Sequence, residues 1–260
     1  MGRLALAKAL VLDILCAEAD ERQLEALAGQ FRFARRAAPG AEFHLAYDAH
    51  RLELVRHGDR KGIAVERPEI ERRLQGQFLL GRACGIRRGH PLRVLDATAG
   101  MGVDGLALAL SGQSVRLVER EPALWALLAD LLRRFGPVSG DVDLTLGDAR
   151  TFLARSAEIY DVVYFDPMFP ARSKTALPGK RMQYLSALLG ETPPIDTGTI
   201  ELARHRARSR VVLKRRAKDP VLGRPDWTIR GRAVRYDVYR GAAADPGTPG
   251  GPDQPSSRMA

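Results

Sequence analysis

The stretch that decides the fold is Leu92-Arg93-Val94-Leu95-Asp96-Ala97-Thr98-Ala99-Gly100-Met101-Gly102-Val103-Asp104. An apolar run, 92–95, closes on Asp96. A loop of small residues follows, and then an apolar helical pattern through Leu106, Ala107, Leu108, Ala109 and Leu110. The order reads as strand, tight turn, helix. Glycines at 100 and 102 let the backbone bend and let a ligand approach it closely. The start of the helix offers free N–H groups.

The loop chemistry bears on which ligand fits. Gly100, Gly102 and Gly105 formally supply the G-x-G-x-x-G spacing of a dinucleotide site. Yet Asp96 and Asp104 flank the turn, and acids there repel a pyrophosphate. They suit a cationic, phosphate-free ligand such as S-adenosylmethionine, with its sulfonium and ammonium. A purely structural glycine turn fits the same residues.

From this point strands and helices alternate, the signature of a parallel α/β sheet. Residues 114–118 form a second strand ending on Glu119-Arg120, and Pro122 opens a helix that runs to 135. Glu119 lies about 20 residues beyond the glycine loop, where an acid accepts from ribose hydroxyls. Residues 142–146 form a third strand. Asp148 after it either accepts from an adenine amino group, with the following Ala149 N–H donating to a ring nitrogen, or caps the next helix.

Residues 161–165 form the fourth strand and run directly into Asp166-Pro167-Met168-Phe169-Pro170. This cluster suits chemistry on a planar amine. The lone pair of an exocyclic amino nitrogen is delocalised into its ring. A carboxylate and a backbone carbonyl that accept its two N–H bonds push it towards tetrahedral geometry and free the lone pair. Asp166 and the Pro167 carbonyl supply those acceptors, and Phe169 stacks on the base. A proline-rich turn with Phe169 in the core is the structural alternative. A fifth strand over 210–213 and an alternating late strand over 232–239 complete the sheet, which is mixed if the late strand pairs antiparallel.

Around this core, 1–38 reads as helical, with a second helix over 20–31, followed by a hairpin over 43–55 and a short strand at 63–65. Residues 69–84 read as one helix presenting Arg72, Arg73 and Arg82. Arg172, Lys174, Lys180 and Arg181 read as a basic loop beside the site. Beyond 240, Pro, Gly, Ser and Asp dominate, as in a disordered tail. The organisation expected is an N-terminal accessory region (1–67), a catalytic domain (68–240) and the tail (241–260).

Lys plus Arg number 41 against 31 Asp plus Glu, a net charge of +10 that favours polyanions such as nucleic acid. The two cysteines, Cys16 and Cys84, have no metal-ligand spacing and form no disulfide framework. No metal is expected. Lys8 and Asp13 interrupt the apolar stretch 4–16 and no A-x-A pattern follows it, so no cleavable leader is expected. No run approaches the length of about 18 apolar residues that spans a membrane, so a cytoplasmic location is expected.

With Asp96 to Asp104, Glu119-Arg120 and Asp166-Pro-Met-Phe-Pro170 assembled, the chain resembles the bacterial small-subunit ribosomal RNA guanine-N2 methyltransferases of the J type. Ser173-Lys-Thr-Ala-Leu177, Arg210-Val-Val-Leu-Lys-Arg215 and Arg235-Tyr-Asp-Val-Tyr239 extend the match over roughly residues 60–240. Two regions depart from that family. Its Gly- and Arg-rich run before the first core strand is reduced to Arg72-Arg73 and Gly76, and the first 40 residues match poorly.

The resemblance implies a class I, Rossmann-like fold: a mostly parallel sheet with a late antiparallel strand. It implies S-adenosylmethionine as cofactor and, as substrate, a guanine 2-amino group near the 3′ end of 16S rRNA or the small subunit. By position it puts Val103 and Asp104, Glu119 and Arg120, Asp148 and Ala149, and Asp166 on the cofactor. Asp104 falls to the methionine end. Asp96, Gly100 and Gly102 line the same turn. A DNA adenine-N6 or protein-amine methyltransferase, or a non-catalytic RNA-binding assembly factor, would share these motifs. Oligomeric state is not legible.

Overall fold

A computed structural model describes residues 13–15, 32–34, 41–48, 50–75, 78–168 and 179–242. The strands are β1 (Asp13–Leu15), β2 (Arg32–Ala34), β3 (Phe43–Asp48), β4 (Arg51–Arg56), β5 (Arg93–Asp96), β6 (Ser114–Glu119), β7 (Val142–Leu146), β8 (Tyr160–Phe165), β9 (Ala207–Arg216), β10 (Trp227–Arg230) and β11 (Val234–Arg240). The helices are α1 (Arg67–Leu74), α2 (Leu79–Cys84), α3 (Val103–Leu110), α4 (Pro122–Phe135), α5 (Ala149–Arg155), α6 (Lys180–Leu189) and α7 (Thr197–Arg204).

Seven strands form the main sheet in the order β10-β11-β9-β8-β5-β6-β7. From β9 to β7 all neighbours are parallel, and β11 and β10 add antiparallel to β9. Parallel strands covered on both faces carry near-continuous apolar runs, and the buried centres of β5 (Val94, Leu95), β8 (Val162 to Phe165) and β9 (Val211 to Leu213) do so. Val94, Val162, Tyr164 and Val212 face α2, α3 and α4. Leu95, Val163, Phe165, Val211 and Leu213 face α5 and α7.

The chain leaves β5 towards β6 and β7 on one side and returns to β8 and β9 on the other. The carboxyl ends of β5 and β8 therefore flank a topological switch point, where open α/β sheets bind ligands.

The glycine turn is built as the spacing predicts. Gly102 caps α3 at φ 79°, and a Cβ there would collide with Leu128. At Gly105 a Cβ would run into Leu117 and come within 2.7 Å of Asp96 Oδ2. Only glycine lets α3 pack this close to the ends of β5 and β6.

The N-terminal part differs from its reading. Positions 13–15 and 32–34 are strands rather than helix, and they join β3 and β4 in a second sheet of order β2-β1-β3-β4. Partners supply the reason: Ile14 pairs with Phe33 and with Leu45. A short apolar run takes the structure its neighbours offer. Residues 20–31 lie outside the described residues.

Residues 63–65 contribute only one bridge, Leu54 to Ile63, instead of a strand. The segment 69–84 is two helices rather than one, α1 ending at Leu74 and α2 starting at Leu79. Strand β10 goes unforeseen, and β9 begins at Ala207, where helix was expected to end. All of the expected tail beyond Ala242 lies outside the described residues. Among the described residues no helix is long and apolar enough to cross a membrane.

Candidate active site

Because β8, β5, β6 and β7 are parallel and adjacent, their carboxyl ends share one rim. Asp166, Asp96, Glu119 and Asp148 close or follow these four strands in that spatial order. The sequence places an acid at each end, and the sheet brings the acids into line.

Glu119 is buried at the end of β6 and ties the glycine turn to the sheet. Its Oε2 accepts from Gly100 N at 2.6 Å and its Oε1 from Glu121 N at 2.7 Å. Each oxygen keeps a lone pair for a further donor such as a ribose hydroxyl. Burial pushes its pKa up against those backbone donors. Thr98 makes the parallel link to β8, its Oγ1 accepting from Asp166 N at 2.7 Å.

Asp96 is 2% exposed, and its described hydrogen bond, from Thr98 N, is 3.3 Å long. Burial first, then the repulsion of Asp104 and Asp166, push its pKa well above the usual carboxylate range.

Asp104, in the first turn of α3, has the most side-chain partners of the rim acids. It accepts from Arg73 Nε at 2.6 Å, Lys214 Nζ at 2.8 Å and the Tyr164 hydroxyl at 2.7 Å. Burial alone would raise its pKa; Lys214 and Arg73 outweigh that and hold it at about 2. Arg73 also donates to the Tyr236 hydroxyl at 2.9 Å, which fastens α1 across the rim.

Asp166 is half-buried, and its Oδ2 accepts from the same Lys214 Nζ at 2.7 Å. Burial pushes its pKa up to about 6 despite that ammonium, with Asp104 adding to the rise.

The other expected site residues fall as follows. Asp148 caps α5, its Oδ1 accepting from Thr151 N at 3.0 Å, and Ala149 begins the helix. Arg120 is exposed beside Glu119. Val103 and Met168 pack on the core, and Pro167 is half-buried. Phe169, Arg172 and Lys174 lie outside the described residues.

Two residues expected in a free basic loop are already engaged. Lys180 donates to the Lys61 carbonyl at 2.5 Å and pairs with Asp59 at 3.3 Å, and Arg181 pairs with Glu69. The sequence singles out none of Lys214, Tyr164, Tyr236 or Thr98 for this site, and it presents Arg73 as part of a basic element that either contacts phosphates at the mouth of the site or faces solvent, not as the partner of Asp104. The available signal was a lysine ending the apolar run Val211-Val212-Leu213.

The rim passes a chemical test for S-adenosylmethionine. Four acids (Asp96, Asp104, Glu119 and Asp166) face two cations, Arg73 and Lys214. The excess negative charge is least compensated at Asp96, buried at the end of β5, where a cationic ligand lowers the cost of ionisation. Backbone held open by glycine lies directly beside it.

Comparison with known proteins agrees. The family described as "Putative SAM-dependent methyltransferase" matches residues 27–241. The ribosomal RNA small subunit methyltransferase J of Alkalilimnicola ehrlichii is 37% identical over 239 residues, 76% of this chain and 90% of its own. The protein of that name from Pseudomonas fluorescens (strain SBW25) is 36% identical over 226 residues, 79% of this chain and 85% of its own. The crystal structure of the SAM-dependent methyltransferase NGO1261 from Neisseria gonorrhoeae aligns with a TM-score of 0.69 and 26% identity, over 90% of this chain and 97% of that one. A rim of strand-end carboxylates around a glycine turn, and a match that runs through it, give one conclusion: this chain belongs to the ribosomal RNA small subunit methyltransferase J family of S-adenosylmethionine-dependent methyltransferases.

Proposed function

We propose that the protein is a cytoplasmic enzyme that methylates the exocyclic 2-amino group of a guanine near the 3′ end of 16S rRNA, free or in the small subunit. The observation that carries the reading is Asp166. It stands at the end of β8, on the far side of the switch point from Glu119, with Pro167 next in the chain.

S-adenosylmethionine supplies an electrophilic methyl group on a sulfonium when bound. The chain's own residues orient and polarise. Gly100, Gly102 and Val103 form the floor of the turn. Asp96 answers the positive charge, and Asp104 keeps one lone pair on Oδ1 for the methionine ammonium. Glu119 and Arg120 meet the ribose, and the Asp148-Ala149 turn meets the adenine. Asp166 and the Pro167 carbonyl accept from the target amine, with Phe169 stacking on a base that has left its helix. In this reading 1–67 is an accessory region and 68–240 the catalytic domain.

The position of the cations supports an RNA substrate. β9, β11 and β10 extend from the Asp166 side of the rim, away from the cofactor. Arg230 pairs in register with Arg235, and Arg235 with Arg215, so Arg215 and Arg230 reach the same edge as Lys214. Arg230, Arg232 and Lys218 are exposed there. Arg230→Gln/Arg232→Gln is expected to raise KM for RNA and to reduce the log–log salt slope of binding by about 1 per cation that contacts a phosphate. A slope equal to that of the native chain, measured by filter binding, would place the RNA elsewhere.

Glu119→Gln is expected to weaken S-adenosylmethionine binding by about tenfold or more. It exchanges an ionised acceptor for a neutral amide that must also satisfy Gly100 N and Glu121 N. Isothermal calorimetry checks this. The function itself is tested by tritium transfer from labelled cofactor to small-subunit particles, with nuclease digestion of the product. Label that survives ribonuclease and is lost to deoxyribonuclease or protease would overturn it. Mass spectrometry then maps the nucleotide.

A further inference from the structure

Asp166 has a single described side-chain partner, and that partner is shared. Leu213 pairs in register with Phe165, so the next residues, Lys214 and Asp166, emerge side by side at the carboxyl end of the sheet. Tyr236 flanks Lys214 from the opposite strand. Lys214 Nζ sits between two acids, 2.7 Å from Asp166 Oδ2 and 2.8 Å from Asp104 Oδ2, with its side chain only 16% exposed.

We propose that Lys214 is the positioning residue of the methyl-transfer site, an ammonium clamped between Asp104 and Asp166 that keeps Asp166 a carboxylate and engages its Oδ2, leaving Oδ1 for the target amine. This deepens the reading of Asp166 as amine acceptor and rests on it.

The charge balance makes the clamp necessary. Asp166 is faced by Lys214 from β9, Arg73 from α1, Asp104 from α3 and Asp96 from β5, with Tyr164 and Tyr236 nearby and Glu119 behind Asp96. Burial and Asp104 favour protonation of Asp166, and Lys214 is the largest opposing influence. Without Lys214, three clustered acids would answer to Arg73 alone. Arg73 contacts Asp104 and not Asp166, and Asp104 keeps the Tyr164 hydroxyl as well. The proton then goes to the remaining acids. A protonated Asp166 presents an O–H donor where an amine N–H needs an acceptor. One ammonium thus holds the cofactor-side acid and the target-side acid at a fixed separation.

The test is a carboxyl-carbon NMR titration of protein labelled with 13C-aspartate, without cofactor or RNA. The Asp166 signal is assigned by its loss in Asp166→Asn. In Lys214→Met the midpoint of Asp166 is expected to rise by about one pH unit or more, a tenfold gain in proton affinity. In Lys214→Arg, which keeps the charge, it is expected to stay within a few tenths. In Asp104→Asn it is expected to fall, because repulsion is removed and Lys214 is left to Asp166 alone.

The acid limb of kcat/KM should move with the same sign, whereas a merely structural lysine would lower kcat at every pH and leave the limb in place. An unmoved midpoint in folded Lys214→Met overturns the proposal. If that variant does not fold, a midpoint in Asp104→Asn that stays or rises overturns it. Failure of the rRNA reading is separate: the native chain would then transfer no methyl group to the particles while the titrations behave as stated.

Discussion

Asp166→Asn is expected to lower kcat for methyl transfer by about 10²- to 10⁴-fold, the range for one positioned acid–base group, with S-adenosylmethionine affinity changed by less than about tenfold. The shape of the side chain is retained, so the effect isolates acceptor chemistry. Lys214 decides which way the amide turns. Its ammonium, 2.7 Å from Oδ2 in the native chain, can only be met by the amide oxygen. The NH₂ group is then left for the target, and two donors oppose each other. Asp166→Ala removes the acceptor without adding a donor, so it should be no more damaging than Asn at the chemical step. Single-turnover rates with cofactor pre-bound separate this from binding. A loss of less than about fivefold in Asp166→Asn would exclude Asp166 as the amine acceptor.

The pH profile adds a constraint of known sign. Burial pushes the Asp166 pKa up to about 6, above the ordinary aspartate value, so the carboxylate form that the proposed reaction needs is depleted as pH falls through that value. Asp104 behaves oppositely. Held at about 2 by Lys214 and Arg73, it contributes stability that is complete above the ordinary aspartate value and is lost as pH falls towards 2. Activity should therefore fail in mild acid while the Asp104 cluster is still intact.

The acids of this rim also mark how far the sequence alone places residues together. Asp96, Glu119 and Asp166 were legible because each ends an apolar run, and a parallel sheet brings consecutive strand ends to one edge. Strand β7 and helix α4 have the bounds read from the sequence, because Pro122 starts the helix and the apolar stripe continues to Phe135. The cations that complete the site were not legible. Arg73 is 31 residues from Asp104, and Lys214 is 110 from Asp104 and 48 from Asp166. Their pairing follows from sheet order, which no local pattern encodes. β1 and β2 failed for the same reason at smaller scale. Each is three residues long, so their form comes from partners rather than propensity. β10 pairs with β11 over only four residues, too few to establish an alternation.

Asp130→Ala is expected to destabilise the fold by about 3 kcal/mol, at the lower end of the range for breaking a buried ion pair. Asp130 has no exposed surface, on α4, and joins the N-terminal sheet to the methyltransferase sheet. It accepts from Leu52 N of β4 at 2.9 Å, from Arg133 at 2.9 Å and from Arg134 at 2.8 Å. The same arginines reach onward, Arg133 to the Tyr47 hydroxyl at 3.2 Å and Arg134 to Glu66 at 3.3 Å. Removing the carboxylate strands a buried N–H at Leu52, which costs about 1–3 kcal/mol by itself. Both guanidiniums lose the Asp130 charge, but Arg134 keeps Glu66, and their side chains are 31% and 18% exposed and can turn to water. That partial escape sets the lower-end value. Asp130→Asn keeps an acceptor for Leu52 N and should cost less than Ala. Arg133→Ala, acting on the more exposed partner, should cost about 1 kcal/mol. Urea unfolding measures each, with an unchanged m-value required for the comparison. A cost below about 1 kcal/mol for Asp130→Ala would mean that apolar packing of β3 and β4 against α4 holds the N-terminal sheet in place without the buried charge.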